Sequence, residues 1–108
     1  MKVVYRKAAS DDVVRQFRYY LVNQNLAQIA LRFRDAVRNT MDSLRDHPLV
    51  GARYGSRKPE LQNLRSWPVA GFEAIRIYYL PESDAIHVIR ILHGKRDVKR
   101  ILERGNPI

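Results

Sequence analysis

The stretch Phe72 to Asp97, FEAIRIYYLPESDAIHVIRILHGKRD, constrains this chain most. Two strand-like runs, 72–80 and 85–93, flank Pro81-Glu82-Ser83-Asp84, a cluster of turn formers, and predict a β-hairpin. Side chains along a strand alternate between faces. Odd positions give Glu73, Ile75, Ile77 and Tyr79 on the first run, and His87, Ile89, Ile91 and His93 on the second. Both odd faces are centred on isoleucines and should look the same way, since a one-residue slip would turn one set over. A register in which partner numbers sum to 166 follows. It pairs Ile75 with Ile91, Ile77 with Ile89, Tyr78 with Val88, Leu80 with Ile86, and Glu73 with His93. It also sets Arg76 opposite Arg90, and like charges facing each other across a strand pair are unfavourable. Either an anion sits there or both arginines reach into water.

A sheet needs a cover, and the N-terminal half supplies one. Lys2 to Arg6 is a short strand candidate that requires a neighbour. Ser10 is placed to cap a helix, with Asp11 and Asp12 in its first turn, and Val13, Val14, Phe17, Tyr20 and Leu21 at helical spacing. After Asn23-Gln24-Asn25, Asn25 is placed to cap a second helix, with Gln28 three residues on. Leu26, Ile29, Ala30, Phe33, Val37, Met41 and Leu44 make its apolar stripe to about Arg45. The short turn makes the two helices antiparallel neighbours. Their stripes serve best as core, although a partner or membrane surface would look the same in sequence.

His47-Pro48 ends the second helix. Leu49 to Glu60 follows as a loop carrying Arg53, Arg57 and Lys58, a solvated connection or a surface for an anionic partner. It lacks the Gly-Lys-Ser/Thr ending and preceding strand of a phosphate-binding loop. Leu61 to Val69 is a further strand, with Pro68 marking an edge or an end. Ala70-Gly71 turns into the hairpin. Asp97 is placed to cap a last short helix with Val98, Ile101 and Leu102 on its apolar side, stopped by Gly105 and Pro107.

The predicted fold is therefore a single α+β domain over residues 1–108. An N-terminal strand and helical hairpin pack on a small, mainly antiparallel sheet, with a short C-terminal helix. The even sheet face is only half apolar. It is either partly covered by the tail helix or open to a partner.

Twenty basic residues against eleven acidic ones give a net charge of +9, which points to a polyanionic partner such as nucleic acid, the ribosome, a membrane surface or an acidic protein. Cysteine is absent, which excludes disulfides and thiolate metal sites and fits a reducing, cytoplasmic location. The N-terminus shows no signal-peptide pattern, and no apolar run is long enough to span a membrane. His47 and His87 have no metal-ligand spacing to any Asp or Glu, so neither metal nor cofactor is expected.

Several pieces in series resemble a known family. They are Phe33, Val37 and Leu44 on the second helix, Pro48 to Gly51, Pro59-Glu60-Leu61, Leu64-Arg65-Ser66-Trp67-Pro68-Val69, Gly71-Phe72, Ile77-Tyr78-Tyr79, and Ile89-Arg90-Ile91-Leu92-His93-Gly94-Lys95-Arg96-Asp97. Over nearly its whole length the chain resembles the RelE/ParE superfamily of type II toxin–antitoxin toxins, and the ParE branch most closely. The resemblance implies the fold above and an acidic, ParD-like antitoxin in a hetero-oligomer with the toxin. It also implies either inhibition of DNA gyrase, as in ParE-like toxins, or cleavage of mRNA in the ribosomal A site, as in RelE-like ones. A basic binding module without toxicity is a third class.

The two activities make different demands. A nuclease needs a general base, a general acid and cations around the phosphate. Here the candidates are His93, Glu73, Arg76 and Arg90, yet the tail after His93 has no tyrosine. A Glu73–His93 pair would serve as a dyad and equally as a plain cross-strand salt link. An inhibitor needs only a rigid charged and aromatic surface, for which Arg65, Trp67, Arg76, Arg90, Lys95 and Arg96 are the candidates. Trp67 also suits the core, and Arg96-Asp97 a local ion pair. On the half-apolar even face, Tyr78, Leu80, Val88 and Arg90 form the candidate antitoxin surface. Inhibition of gyrase by binding, with no catalytic residues, is the reading that the resemblance to the ParE branch implies.

Overall fold

The computed structural model describes residues 1–104. In chain order it contains β1 (Lys2–Tyr5), α1 (Lys7–Arg18), a π-helical turn (Tyr19–Asn23), α2 (Ala27–Asp46), β2 (Ala52–Arg53), a 3-10 turn (Pro59–Leu61), β3 (Arg65–Val69), β4 (Phe72–Pro81), β5 (Ala85–His93) and α3 (Val98–Arg104). The strands form one sheet in the order β1-β5-β4-β3-β2. All neighbours are antiparallel except β1, which runs parallel to β5 from Lys2 opposite Ala85 to Tyr5 opposite Val88. The predicted two-layer α+β architecture holds, with β2 and the 3-10 turn added in the stretch read as loop and early strand. The expected stop at Gly105 and Pro107 lies outside the described residues.

The helix starts differ from those expected. α1 begins at Lys7 with Arg6 at its cap, so Ser10 and Asp11 fall inside it. α2 is capped by Leu26, and Asn25 instead takes a left-handed backbone (φ 52°), a conformation that Asn tolerates better than most residues. A backbone bond from the Leu26 N–H to the Tyr20 carbonyl closes the turn between the helices. Most of the expected α2 stripe is buried, namely Ala30, Phe33, Val37, Met41 and Leu44, whereas Ile29 is half-buried and Leu26, at the cap position before the helix, is exposed. Thr40 is buried beside them and accepts the Ala70 N–H on its hydroxyl, at 3.0 Å.

The hairpin register is the main correction. Near the open end partner numbers sum to 168: Ile75 faces His93, Arg76 faces Leu92, Ile77 faces Ile91, and Tyr78 faces Arg90. A bulge then shifts the ladder so that Tyr79 faces Val88 and Pro81 faces Ile86, leaving Ile89 as the extra residue. The two arginines are not opposite each other, and Glu73 is not opposite His93. A bulge exchanges the faces of every residue beyond it. Ile91 therefore packs under the helical hairpin together with Ile86 and Val88, while Ile89 turns to the other side.

Two cores result. The larger lies between the α1–α2 hairpin and the sheet, and includes Phe33, Val37, Leu44, Ile75, Ile77, Tyr79 and Ile91. Tyr20, Phe33 and Phe72 interlock at its end, with ring centroids 5.5–5.8 Å apart. The smaller core lies on the opposite face, where Leu61, Leu64 and Leu102 of α3 close over Tyr78, Leu80, Ile89 and Leu92. Of the two fates foreseen for the even face, cover by the tail helix is the one found.

Candidate functional site

Arg90 has its anion within the chain. β1 ends opposite Val88, and the Arg6 N–H bonds the Val88 carbonyl as the chain leaves the sheet and enters α1. α1 then lies along the edge of β5 that β1 no longer covers. There the Asp12 carboxylate, only 1% exposed, accepts the Ile91 N–H at 2.9 Å and two guanidinium bonds from Arg90, each 2.8 Å. Arg15 adds a fourth contact at 3.1 Å. Asp12 satisfies an edge donor that would otherwise be buried without a partner. The carboxylate holds the Arg90 guanidinium above the usual arginine range, against the opposing effect of burial. Asp12 lies on the helix face that also carries Ala9 and Gln16, and a carboxylate there was the available sign of a buried ion pair.

Arg65 is similarly occupied. It donates to the carbonyls of Leu49 (3.0 Å) and Gly51 (2.7 Å), pinning the turn after α2. The Tyr79 hydroxyl completes the staple by donating to the Pro48 carbonyl at 2.9 Å and accepting the Gly51 N–H at 3.0 Å. Gly51 admits no side chain, because a Cβ there would collide with the Tyr79 hydroxyl and stand 2.9 Å from the Ser66 carbonyl. This packing accounts for the Pro48…Gly51 spacing.

The remaining candidates separate. Trp67 is half-buried against the larger core, opposite Ile77. Arg76 is half-buried and donates to the Ser66 hydroxyl at 3.0 Å. Tyr78 and Leu80 lie in the smaller core and Val88 in the larger, so the chain itself covers the apolar members of the expected antitoxin surface. The Glu73 carboxylate accepts the Gly71 N–H at 2.8 Å, and His93 accepts the Lys95 N–H on Nδ1 at 3.0 Å. Asp97 caps α3 through the Arg100 N–H, as expected, at 3.3 Å. Lys95 and Arg96 are exposed and form no ion pair among the described residues. Also among those residues, no group of three potential metal ligands converges, and no helix is long and apolar enough to cross a membrane.

A family model described as the ParE toxin of the type II toxin-antitoxin system parDE matches residues 3–98. The chain belongs to the ParE toxin family. As a type II toxin of that family it has an antitoxin as partner. In fold this ParE chain is similar to a chain of the chromosomal ParDE TA system from P. aeruginosa, with a TM-score of 0.68 and 17% identity over 86% of this chain and 95% of the other. It is also similar to a YoeB/ParE toxin from Agrobacterium tumefaciens, with a TM-score of 0.54 and 14% identity over 86% and 98% of the two chains. At these identities the shared fold is what carries over. No curated protein matches the sequence.

Proposed function

We propose that this ParE-family toxin inhibits DNA gyrase by binding it, and that an acidic, ParD-like antitoxin silences it within a hetero-oligomer. One observation carries the preference for binding over catalysis. His93, at the end of β5, faces Ile75, and its Nδ1 lone pair is engaged by a backbone N–H. Glu73, Arg76 and Arg90, the other members of a possible nuclease constellation, are each engaged within the chain: Glu73 by the Gly71 N–H, Arg76 by the Ser66 hydroxyl and Arg90 by Asp12. Acid–base cleavage of RNA needs such groups converged on one phosphate. Recognition needs a rigid surface with cations free to meet a partner, and Lys95 and Arg96 provide that on the turn after β5.

Gyrase as the target puts the site of action in the cytoplasm. The net charge of +9 draws an acidic antitoxin to the same cationic surface and speeds its capture. The purified protein should block supercoiling by purified gyrase, and its expression should cause filamentation and a DNA-damage response. Rapid loss of translation with cut mRNAs, and gyrase untouched, would overturn the reading.

A further inference from the structure

The segment assigned above to gyrase is part of a larger basic end. Glu103 in the last turn of α3 accepts hydrogen bonds from the Ser56 hydroxyl (3.3 Å) and the Arg57 N–H (3.4 Å) on one carboxylate oxygen. This ties the loop after β2 to α3. Residues 56–58 and 95–103 thus share one end of the molecule and carry six cations, Arg57, Lys58, Lys95, Arg96, Lys99 and Arg100, against two carboxylates, Asp97 and Glu103. Both carboxylates serve locally: Asp97 caps α3 and Glu103 holds the loop. Five of the six cations are exposed and Lys58 is half-buried, and none forms an ion pair among the described residues. Two of them, Lys99 and Arg100, lie on α3, a helix only about 10 Å long, with Lys95 and Arg96 on the turn that leads into it and Arg57 and Lys58 on the loop tied to it.

We infer that this end binds the phosphate backbone of duplex DNA, without reading its sequence. Two features favour a duplex over a single strand or an acidic peptide. Single-stranded nucleic acid is held by stacking its bases on aromatic side chains, and residues 56–58 and 95–103 contain no aromatic. Tyr54, just before the loop, has its ring packed edge-on against Tyr78, with centroids 5.5 Å apart. An acidic protein segment would ordinarily bury apolar side chains together with its charges, whereas the apolar residues of α3 point into the smaller core. A cluster of exposed lysines and arginines suits an array of phosphates.

The inference adds a ligand to the surface proposed for gyrase. It is tested with no gyrase present, so either can fail alone. Fluorescence anisotropy of the full-length protein with a labelled duplex of scrambled sequence should show affinity falling linearly in log–log form with salt. Arg96→Ala/Arg100→Ala should weaken binding and lower that slope by about 2. Arg32→Ala/Arg38→Ala on the exposed side of α2 removes the same charge elsewhere, and the slope should stay. Equal losses in both variants would mean diffuse attraction to the net charge and would overturn the assignment. Tighter binding to single-stranded RNA or polyglutamate than to the duplex would overturn it too.

Discussion

Removing the Asp12 carboxylate should cost about 3 kcal/mol, because Asp12→Ala leaves the half-buried Arg90 guanidinium and the buried Ile91 N–H without their partner. Asp12→Leu combined with Arg90→Met should be milder than Asp12→Ala, since both charges then leave together. A double-mutant cycle by urea denaturation measures the coupling; strict additivity would mean the pair is not coupled in solution. Toward the β2 edge of the sheet, Tyr79→Phe removes the hydroxyl that joins Pro48 to Gly51, and about 1–3 kcal/mol should be lost. Neither site was legible as a constellation. Asp12 and Arg90 are 78 residues apart, and single-sequence periodicity carries no information about which distant charges meet.

At the scale of elements, α3 is a small lid on the second face of the sheet. Leu102→Asp should release it without unfolding the domain, since the larger core contains no residue of α3. Hydrogen exchange should then quicken in α3 while β4 and β5 stay protected; loss of protection throughout would mean that the second core is integral to folding. Such elements were largely readable in sequence. The α2 stripe from Ala30 to Leu44, the Ala70-Gly71 turn with its positive φ at Gly71, and the Asp97 cap all follow local rules and were found as expected. The bulge at Ile89 was not readable. With isoleucine at both 89 and 91, the alternation gives no sign of where the faces exchange, so the continuous register placed Ile89 and Val88 on the wrong sides. For the same reason Val88 lies on the opposite side from Tyr78 and Leu80, which Leu61, Leu64 and α3 cover.

For the whole molecule, alkaline pH should be the destabilising side. Burial pushes the Tyr54, Tyr78 and Tyr79 hydroxyls above their ordinary value near 10. A raised folded-state value means that the native state holds these protons longer than the unfolded chain does. The associated stability is fully present below pH about 10 and is lost as pH rises through the folded-state values. The urea midpoint should therefore fall above that pH, with a smaller fall for Tyr79→Phe. At the same scale, the proposed separation of structural from free cations divides the chain's charge into Arg65 and Arg90, which build the fold, and Lys95 and Arg96, which meet the target. His93 decides between the two kinds of toxin. Gln at this position keeps an oxygen able to accept the Lys95 N–H but cannot move protons at neutral pH. The most direct measurement is purified His93→Gln protein titrated into a gyrase supercoiling assay beside a cell-free translation reaction. Inhibition of supercoiling close to that of the parent protein, with translation unaffected, is the outcome expected of a binding inhibitor. Translation stopped and mRNA cut by the parent protein, with both lost in His93→Gln and supercoiling untouched by either, would contradict it.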